Sequence, residues 1–428
     1  MKTPATLPAD APSTAFGGPR PPLRRGGSVA DALLCPSRRV FLAGAGAFIA
    51  WANLPKPAWA APGREPRFVA VIPPGAMDGL AVVPPVGDKD YAALRGDLAF
   101  GAAGQEPALP LDAFFALNSA MPGLHALYQK GEALIVHATA TPYRDRSHFD
   151  GQDVLESGLE GPGLAPTGWL NRAAGAIPAG EGVRPVSGLA ASPTIPLILR
   201  GDAPTLSWTP PRIEAASADT LKRLLDLYTH TDPQMAKVLG EGVDLDALAQ
   251  GIDVKAAGGL AASFKALAEG SARLLAEEDG PRLAALSYDG WDTHTAEDGR
   301  LDNVLGALDG ALVALATELA PVWDDTVVVV MTEFGRTARA NGNEGTDHGT
   351  ATVALLLGGA VKGGRVIADW PGLREADLYE NRDLKPKTDL RAVLKGVLRD
   401  HLGIPAAELS AIVFPDSIGI APMDGLVG

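Results

Sequence analysis

Short uncharged runs of apolar residues alternate along the chain with longer segments whose apolar residues recur at helical spacing. The short runs predict buried β-strands at residues 67–73, 133–138, 196–200, 282–288, 326–331 and 352–357. The longer segments predict helices at residues 111–130, 147–157, 168–177, 297–319 and 389–401, and mostly helix between 216 and 278. Continuous apolar strands separated by helices are typical of a mostly parallel sheet that is covered on both faces. We therefore predict an α/β fold with a mostly parallel central sheet flanked by helices.

The pattern also divides the chain into a leading segment and one large domain. The chain has 428 residues, of which 46% are hydrophobic and 21% charged, so it is long enough to bury a large core. We predict a single domain over residues 61–428, with a helical insertion at about residues 210–280.

The first sixty residues have the pattern of an export signal. Arg38 and Arg39 stand directly before the uncharged residues 40–54, and Ala58-Trp59-Ala60 offers small residues to a signal peptidase. A membrane anchor is the alternative, but a spanning helix needs about 20 apolar residues. We predict that residues 1–60 are a twin-arginine signal peptide. The mature chain is then periplasmic or extracellular and has no transmembrane helix.

Charge and cysteine content exclude several classes of function. Residues 1–60 carry seven Lys and Arg against two Asp, so the mature chain is more acidic than the whole chain, whose net charge is −14. This charge disfavours nucleic acid and anionic membranes as partners. Cys35, the only cysteine, lies in the signal, which excludes thiol nucleophiles and cysteine-bound zinc in the mature chain. No dinucleotide fingerprint follows a predicted strand, so nothing favours an oxidoreductase.

Polar residues gather directly after the predicted strands. In sheets of this kind, ligands bind beyond the carboxyl ends of the strands. The segments at residues 73–79, 139–150, 289–294 and 332–349 hold acidic, hydroxyl and imidazole groups, including three of the seven His. We expect the functional site where these segments meet.

Two Asp/His pairs in these segments are candidate metal ligands. Asp292 and His294 lie two residues apart, so that in an extended segment they point the same way, while Asp347 and His348 follow a loop rich in Gly and Asn. A helix cap at the first pair and a structural turn at the second are the alternatives. Together, two Asp and two His suit a divalent cation such as zinc or manganese.

Three further candidates follow other strands. Glu333 and Arg336 come after the most hydrophobic strand, where they serve either as a ligand and a clamp for an anion or as an ion pair with each other. Asp78 follows the first strand as either a carboxylate ligand or a turn residue, and the Asp-Gly sequence favours the turn.

Ser147 stands at the predicted start of a helix. With Asp150 three residues on, it resembles a capping box, which favours a role as helix N-cap. A hydroxyl at a helix N-terminus is also well placed to attack a phosphate or sulfate. Arg144, Arg146 and His148 add positive charge beside it.

Several motifs together resemble the DUF1501 family of exported bacterial proteins. The resemblance covers essentially the whole chain and rests on the twin-arginine signal and on DGL, SHFDGQD, GWLNR, WDTH, TEFGRT, GTDHG and DWPGL, at residues 78–80, 147–153, 168–172, 291–294, 332–337, 345–349 and 369–373. DUF1501 proteins are in turn similar in fold to the alkaline phosphatase and sulfatase superfamily of two-metal hydrolases. An alkaline phosphatase-like fold is what the resemblance implies.

The resemblance also implies roles for single residues. It places Asp292, His294 and His348 around one metal, and Asp78, Glu333 and Asp347 around a second. Ser147 takes the position nearest the nucleophile. Ala140 stands where a sulfatase has the residue that becomes formylglycine, so a formylglycine-dependent sulfatase is excluded.

Two functions remain open from the sequence. The first is an exported metal-dependent hydrolase of phosphate or sulfate esters, small or polysaccharide, in which Ser147 or water attacks, His148 assists, and Arg336 or Arg144 holds the anion. The second is a non-catalytic exported protein of the same fold that binds a polysaccharide or an envelope partner. The divalent cation is zinc, manganese, magnesium or calcium, which the sequence does not distinguish.

Overall fold

A computed structural model describes residues 65–100, 107–163, 165–178, 187–210, 218–233, 236, 239–240 and 259–428. All of them belong to one structural unit, Ala45–Gly428. The predicted signal peptide, residues 1–60, lies outside the described residues, as does part of the predicted helical insertion.

The central strand, β1 (Arg67–Ile72), shows why both faces of the sheet are covered. All six of its residues are buried. Because successive side chains of a strand point to opposite faces, Val69 and Val71 join one hydrophobic core while Phe68 and Ala70 join another. An apolar run of this kind, without alternation, requires a helical layer on each face.

Nine described strands form the central sheet. Besides β1, they are β4 (Ala133–Ala140), β5 (Gly188–Ala190), β6 (Thr205–Ser207), β7 (Leu283–Ser287), β8 (Thr326–Val330), β9 (Thr352–Leu357), β10 (Arg365–Ile367) and β11 (Thr388–Asp389). Their order is β10-β4-β9-β8-β1-β7-β5-β6, and β11 also pairs with β4. Every pairing is parallel except those of β9, which runs antiparallel to β4 and β8. The prediction of a mixed α/β fold with a mostly parallel sheet is confirmed.

The helices cover the two faces. They are α1 (Gly79–Val82), α2 (Tyr91–Arg95), α3 (Pro122–Gln129), α4 (His148–Ser157), α5 (Trp169–Ala176), α6 (Ala218–Thr231), α7 (Leu260–Ala276), α8 (Glu297–Glu318), α9 (Leu390–Leu402) and α10 (Ala406–Glu408). Helices α3, α7 and α8 contribute to the core that contains Val69, and α5 and α9 to the core that contains Phe68. Among the described residues, no helix is both long enough and apolar enough to cross a bilayer.

Two sequence predictions of secondary structure are wrong. The run at 196–200 is not a strand: Leu197–Leu199 is a 3-10 turn, whose backbone bonds are local, from Leu199 to Pro196 and from Arg200 to Leu197. The predicted helix at 111–130 begins only at Pro122, a residue that suits the first turn of a helix and not its interior. Before it, β2 (Leu109–Pro110) and β3 (Ala116–Leu117) form a separate two-stranded sheet.

The direction of β9 decides which segments meet. The parallel strands β1, β4, β7 and β8 all end at one edge of the sheet, and the antiparallel β9 begins at that same edge. Residues that precede β9 therefore lie beside residues that follow the other four strands.

Candidate metal site

Four side chains converge at this edge of the sheet. The Nε2 atom of His348 lies 2.9 Å from Nε2 of His148, 2.9 Å from Nε2 of His294 and 3.2 Å from Oδ1 of Asp292. The same Asp292 oxygen lies 3.0 Å from Nε2 of His294 and 3.5 Å from Nε2 of His148. We call these four residues the His/Asp cluster. The His348 nitrogen and the Asp292 oxygen thus each lie within 3.5 Å of the other three atoms.

The four members reach the cluster from three segments of the chain. His148 is the first residue of α4, beyond β4, and Asp292 and His294 lie between β7 and α8. His348 lies just before β9 and can join them only because that strand is reversed. The extended backbone of Ser147, with φ −91° and ψ 125°, starts α4 and so aims His148 at the others.

The other ring nitrogens of His148 and His348 show which form of the imidazole is present. Nδ1 of His148 lies 2.7 Å from Oε1 of Glu333, and Nδ1 of His348 lies 3.0 Å from the backbone oxygen of Arg146. A carbonyl oxygen or carboxylate can only accept, so each Nδ1 carries the hydrogen and donates it. In the neutral imidazole, Nε2 then presents a lone pair to the cluster.

His294 completes the arrangement, since its Nδ1 lies 3.3 Å from Oδ1 of Asp347. Three imidazoles therefore turn their lone pairs toward one another and toward the Asp292 carboxylate. When all three rings are neutral, the nitrogen atoms 2.9 Å apart have no hydrogen between them, and either a proton on one ring or a metal cation relieves the repulsion. Histidine ligands held from behind by oxygen acceptors are the usual arrangement at metal sites.

Glu333 holds the His148 ring in place by accepting the hydrogen of its Nδ1. Its side chain is fully buried, and it accepts hydrogen bonds from His148, from the amide of Gly75 at 2.8 Å and from the hydroxyl of Thr332 at 2.6 Å. Burial pushes the pKa of Glu333 upward, but these hydrogen bonds outweigh it and hold the pKa below its usual value. The hydrogen bond that His148 donates to Glu333 in turn raises the pKa of His148, against the opposing effect of burial.

Arg336 lies beneath the cluster, where its side chain is buried. Its Nη2 donates to Oδ1 of Asp292 at 2.6 Å and to the backbone oxygens of Gly75 and Trp291, while Nε and Nη1 bond the backbone oxygens of Ala76 and Thr346. Burial raises the pKa of Asp292, but the guanidinium outweighs it and lowers the pKa to about 2. Arg336 therefore orients Asp292, while its role in holding an anion stays a prediction.

The cluster is open to solvent on its outer side. Side-chain exposures are 23% for His148, 26% for His348, 40% for His294 and 49% for Asp292. Burial is still sufficient to lower the pKa of His348, which favours the neutral form that a metal needs. Phe334 stacks on the His148 ring, with centroids 5.0 Å apart, and closes the inner side.

Ser147 and Arg144 differ in how their side chains are hydrogen-bonded. The backbone of Ser147 has the N-cap conformation, but its side chain makes no capping hydrogen bond to the described residues, so the capping-box pattern is only half fulfilled. Arg144 folds back onto its own loop, where Nη1 donates to the backbone oxygens of Thr141 and Tyr143. Burial lowers the pKa of Arg144.

Asp78 is held in a separate, sealed group of three charged residues. Its Oδ2 lies 2.5 Å from Nη2 of Arg95, and Oε1 of Glu297 lies 3.7 Å from the same nitrogen. All three side chains are at most 1% exposed, and Oδ1 of Asp78 caps helix α1 through the amides of Leu80 and Ala81. We call Asp78, Arg95 and Glu297 the buried triad.

The buried triad contains a shared proton. Burial, followed by the charge of Asp78, raises the pKa of Glu297 to about 8. The pKa of Asp78 is lowered despite burial, chiefly by the charge of Arg95. At neutral pH Glu297 is therefore the protonated member, and Asp78 is the carboxylate that pairs with Arg95.

A cation fits the His/Asp cluster, whereas a second cation has no matching set of ligands among the described residues. Ligand atoms of His148, Asp292 and His348 lie within 4.8 Å of one another, and His294 extends this group. Three imidazoles with one carboxylate are a donor set typical of zinc. The carboxylates expected around a second ion are engaged elsewhere: Asp78 with Arg95, Glu333 with His148, and Asp347 with His294 and Asn341.

The sequence did not identify His148 as a member of the ligand set, because the position after Ser147 reads equally well as the first turn of a helix. The feature of the sequence that could have indicated this role is that His148 lies shortly after the end of a predicted strand. Arg95 was missed altogether, since nothing in residues 91–95 connects it with Asp78.

Comparison with known proteins supplies a family and a set of distant structures. A family model described as "Protein of unknown function (DUF1501)" matches residues 75–413. Among curated proteins, none matches the chain.

Solved structures with a similar arrangement of elements have little sequence in common with it. The lipoteichoic acid synthase LtaP from Listeria monocytogenes is 10% identical, with 89% of this chain and 81% of that chain covered and a TM-score of 0.38. A protein in the alkaline phosphatase superfamily from Vibrio parahaemolyticus is 13% identical, with 74% and 65% covered and a TM-score of 0.34. The C-terminal periplasmic domain of EcEptC from Escherichia coli, in complex with Zn, is 12% identical, with 72% and 77% covered and a TM-score of 0.32.

Proposed function

The chain belongs to the DUF1501 family, and we propose that it is an exported, zinc-dependent hydrolase of phosphate or sulfate esters. The observation that carries the proposal is the His/Asp cluster: ligand atoms of His148, Asp292 and His348 lie within 4.8 Å of one another, and Nε2 of His294 lies 2.9 Å from His348 and 3.0 Å from Asp292. Export rests on the twin-arginine pattern of residues 1–60.

The protein's own residues prepare this site before any ligand arrives. Glu333 and Asp347 fix the rings of His148 and His294 from behind, and Arg336 fixes the Asp292 carboxylate. Preorganised ligands of this kind lose little entropy when they bind a cation. When bound there, a zinc ion polarises an ester oxygen and stabilises the negative charge that develops on it.

Ser147 supports attack on an ester at this position. Its hydroxyl is half-buried, stands next to His148 and is not used to cap α4. The N-terminus of α4, which has ten residues, adds a partial positive charge that favours an anionic group. We assign the attack on the ester to Ser147 or to a water molecule. His148 lies beside Ser147 at the start of α4 and assists this attack.

A non-catalytic, zinc-containing binding protein is the second candidate, and two observations favour it. Arg336 and Arg144, the residues expected to hold the anion, donate mainly to backbone oxygens. The described residues also provide ligands for one ion where the superfamily of hydrolases uses two. In this alternative the ion stabilises the fold and the exposed side of the cluster binds a polysaccharide or an envelope partner.

Metal content and ester hydrolysis, measured on the same preparation, test the proposal. Purified protein without residues 1–60 should contain one zinc ion per chain by elemental analysis and should release phosphate or sulfate from a panel of aryl and sugar esters. The His348→Ala variant should lose both the metal and the activity. The His230→Ala variant, which removes an exposed imidazole from α6, should keep both.

The outcomes separate the two candidates. Zinc-loaded, folded protein that is inactive on every ester excludes the hydrolase and leaves the binding protein. Unchanged zinc content in the His348→Ala variant means that the ligand assignment is wrong, and both candidates then fail.

A further inference from the structure

Asp383 is a fully buried carboxylate that joins two segments of the His/Asp cluster. Its Oδ2 atom lies 2.9 Å from Nε of Arg146, 2.7 Å from Nη2 of Arg146 and 2.7 Å from Oγ1 of Thr350, and all three of these atoms donate to it. Arg146 stands two residues before His148, and Thr350 stands two residues after His348. One carboxylate oxygen therefore holds together the two segments that carry these ligands.

The backbone of Arg146 is strained at the point where it contacts His348. Its φ of 60° lies in the left-handed region, which is unfavourable for a residue with a Cβ atom. In this conformation its backbone oxygen accepts the Nδ1 hydrogen of His348 at 3.0 Å. The Arg146 side chain is mostly buried and pairs with Asp383 and, at 2.6 Å, with Glu380. These ion pairs hold the strained peptide in the position from which it fixes the ring of His348.

The turn that carries Asp383 is itself fixed and reaches His348 by a second route. Backbone hydrogen bonds join Tyr379 and Asp383 in both directions, at 2.9 and 3.0 Å. Beside Asp383, the Nη2 atom of Arg382 donates to the backbone oxygen of His348 at 2.5 Å. The turn thus holds the backbone of His348 directly and its imidazole ring through the Arg146 carbonyl.

We propose that Asp383 is a positioning residue for the metal site, which acts through Arg146 to keep the hydrogen of His348 on Nδ1 and the lone pair of Nε2 toward the cluster. Without the ion pair, the Arg146 peptide relaxes from its left-handed conformation and the Nδ1 hydrogen loses its acceptor. His348 then populates both tautomers, and the tautomer with its hydrogen on Nε2 does not offer that atom to a cation. The inference rests on the proposed function only in taking the His/Asp cluster as the place where zinc binds.

Zinc affinity and the tautomer of His348, both measured on the mature chain, test the proposal. The zinc Kd is obtained by competition with a chelator of known affinity. The tautomer is obtained from the nitrogen chemical shifts of the ring in the metal-free protein, at a pH above the ordinary pKa of histidine, with signals assigned by comparison with His348→Ala. Asp383→Asn should weaken zinc binding about tenfold, the scale on which the partners behind histidine ligands act. It should also change His348 from the Nδ1-protonated tautomer to a mixture of the two.

A milder variant and a matched control accompany Asp383→Asn. Arg146→Lys keeps the positive charge but loses the forked geometry, so it should weaken zinc binding by a smaller factor. The double variant should bind zinc no more weakly than Asp383→Asn alone, because both substitutions break the same contact. The control, Asp377→Asn, breaks a more exposed ion pair with Arg374 in the same part of the chain and should leave the Kd and the tautomer unchanged.

Four results overturn the proposal. These are an unchanged zinc Kd in Asp383→Asn, an unchanged His348 tautomer in that variant, an equal loss of zinc affinity in Asp377→Asn, and additive losses in the double variant. If Asp383→Asn does not fold, Arg146→Lys decides by the same two measurements.

Failure of the proposed function gives a different result. A wild type that binds no zinc, but whose His348 tautomer still changes in Asp383→Asn, excludes the zinc-dependent hydrolase and retains Asp383 as a positioning residue. Zinc binding and ester hydrolysis that are both unaffected by Asp383→Asn do the reverse.

Discussion

Two carboxylates that follow neighbouring strands have opposite surroundings. Asp78 comes after β1 and Asp292 after β7, and these strands pair in parallel. Asp78 is 1% exposed and pairs with Arg95 at 2.5 Å inside the buried triad. Asp292 is 49% exposed and faces three histidines. Similar chemistry at the same edge of one sheet has thus produced one sealed region and one open region.

The difference lies in what surrounds each carboxylate–arginine pair, since Asp78 pairs with Arg95 and Asp292 with Arg336. In the buried triad the remaining neighbour is Glu297, whose raised pKa keeps it protonated, so that the three groups carry no excess negative charge. In the His/Asp cluster the remaining neighbours are imidazoles, which in their neutral form offer lone pairs to a cation. An arginine beside a strand-end carboxylate therefore does not by itself exclude a metal site.

Breaking the buried triad should have the largest effect on stability. Asp78→Ala removes the carboxylate that pairs with the buried Arg95 guanidinium, which costs about 3–5 kcal/mol, and the lost helix cap adds about 1 kcal/mol. Urea unfolding should show a free energy of unfolding lower by about 4–6 kcal/mol. Zinc content should stay at the wild-type level, because Asp78 is outside the cluster.

The exposed Asp202 provides the matched control, and Asp202→Ala should leave stability nearly unchanged. If Asp78→Ala does not fold, the milder Asp78→Asn replaces it. A folded variant at Asp78 that loses zinc contradicts the division into two independent regions.

The proton of Glu297 should make stability depend on pH. The folded pKa of about 8 lies above its ordinary value of 4.5, so the folded state holds a proton that the unfolded state releases. The stabilisation from this proton is fully present below about pH 4.5 and is lost as the pH rises through about 8. Over this window the wild type should lose stability on the order of 5 kcal/mol relative to Glu297→Gln, which mimics the protonated acid.

Chemical unfolding of both proteins at pH 5, 7 and 9 measures this difference. Glu277→Gln, at an exposed position, is the control and should follow the wild type at every pH. If the free energies of unfolding of the wild type and Glu297→Gln change equally with pH, Glu297 is already ionised in the folded protein.

Zinc should raise the free energy of unfolding, and it should do so only through the His/Asp cluster. At a free zinc concentration about a hundred times Kd, binding to the folded state adds about 2.7 kcal/mol to the free energy of unfolding. His348→Ala should abolish this gain and His230→Ala should preserve it, as measured by denaturant unfolding with and without zinc. An equal gain in His348→Ala places the zinc outside the cluster.

The smallest effect is expected at the residue that connects the two regions. Ala296 lies between His294 and Glu297, is exposed, and has φ 46° and ψ 50° in the left-handed region. Ala296→Gly should raise the free energy of unfolding by about 0.5–1 kcal/mol, because glycine adopts this conformation without steric cost. Ala296→Val should lower it, and neither variant should alter zinc content. If both variants raise the free energy of unfolding, relief of backbone strain at residue 296 is not the reason.

The sequence was sufficient for the fold class and for the place of the site, since both follow from local patterns. Apolar runs predicted β1, β4, β7, β8 and β9 within about two residues of their ends. The strands β5 and β6 were missed because three residues are too few to form a pattern, and the reversal of β9 was missed because an apolar run has no direction.

The roles of individual residues depended on contacts between distant parts of the chain. Arg336 is 44 residues from Asp292, and Glu333 is 185 residues from His148. Neither contact has a local signature, so the sequence left both residues with two interpretations each. The same is true of Asp78, whose surroundings were decided by a single arginine 17 residues away.

The reversed strand β9 also has a consequence for folding. It lies between β4 and β8, and it carries His348 to partners that precede it in the chain by up to 200 residues. The cluster is therefore complete only when β9 lies between β4 and β8. A metal ion whose ligands come from such distant segments finds its site in the folded chain and not in the unfolded one, so binding of the ion is coupled to folding.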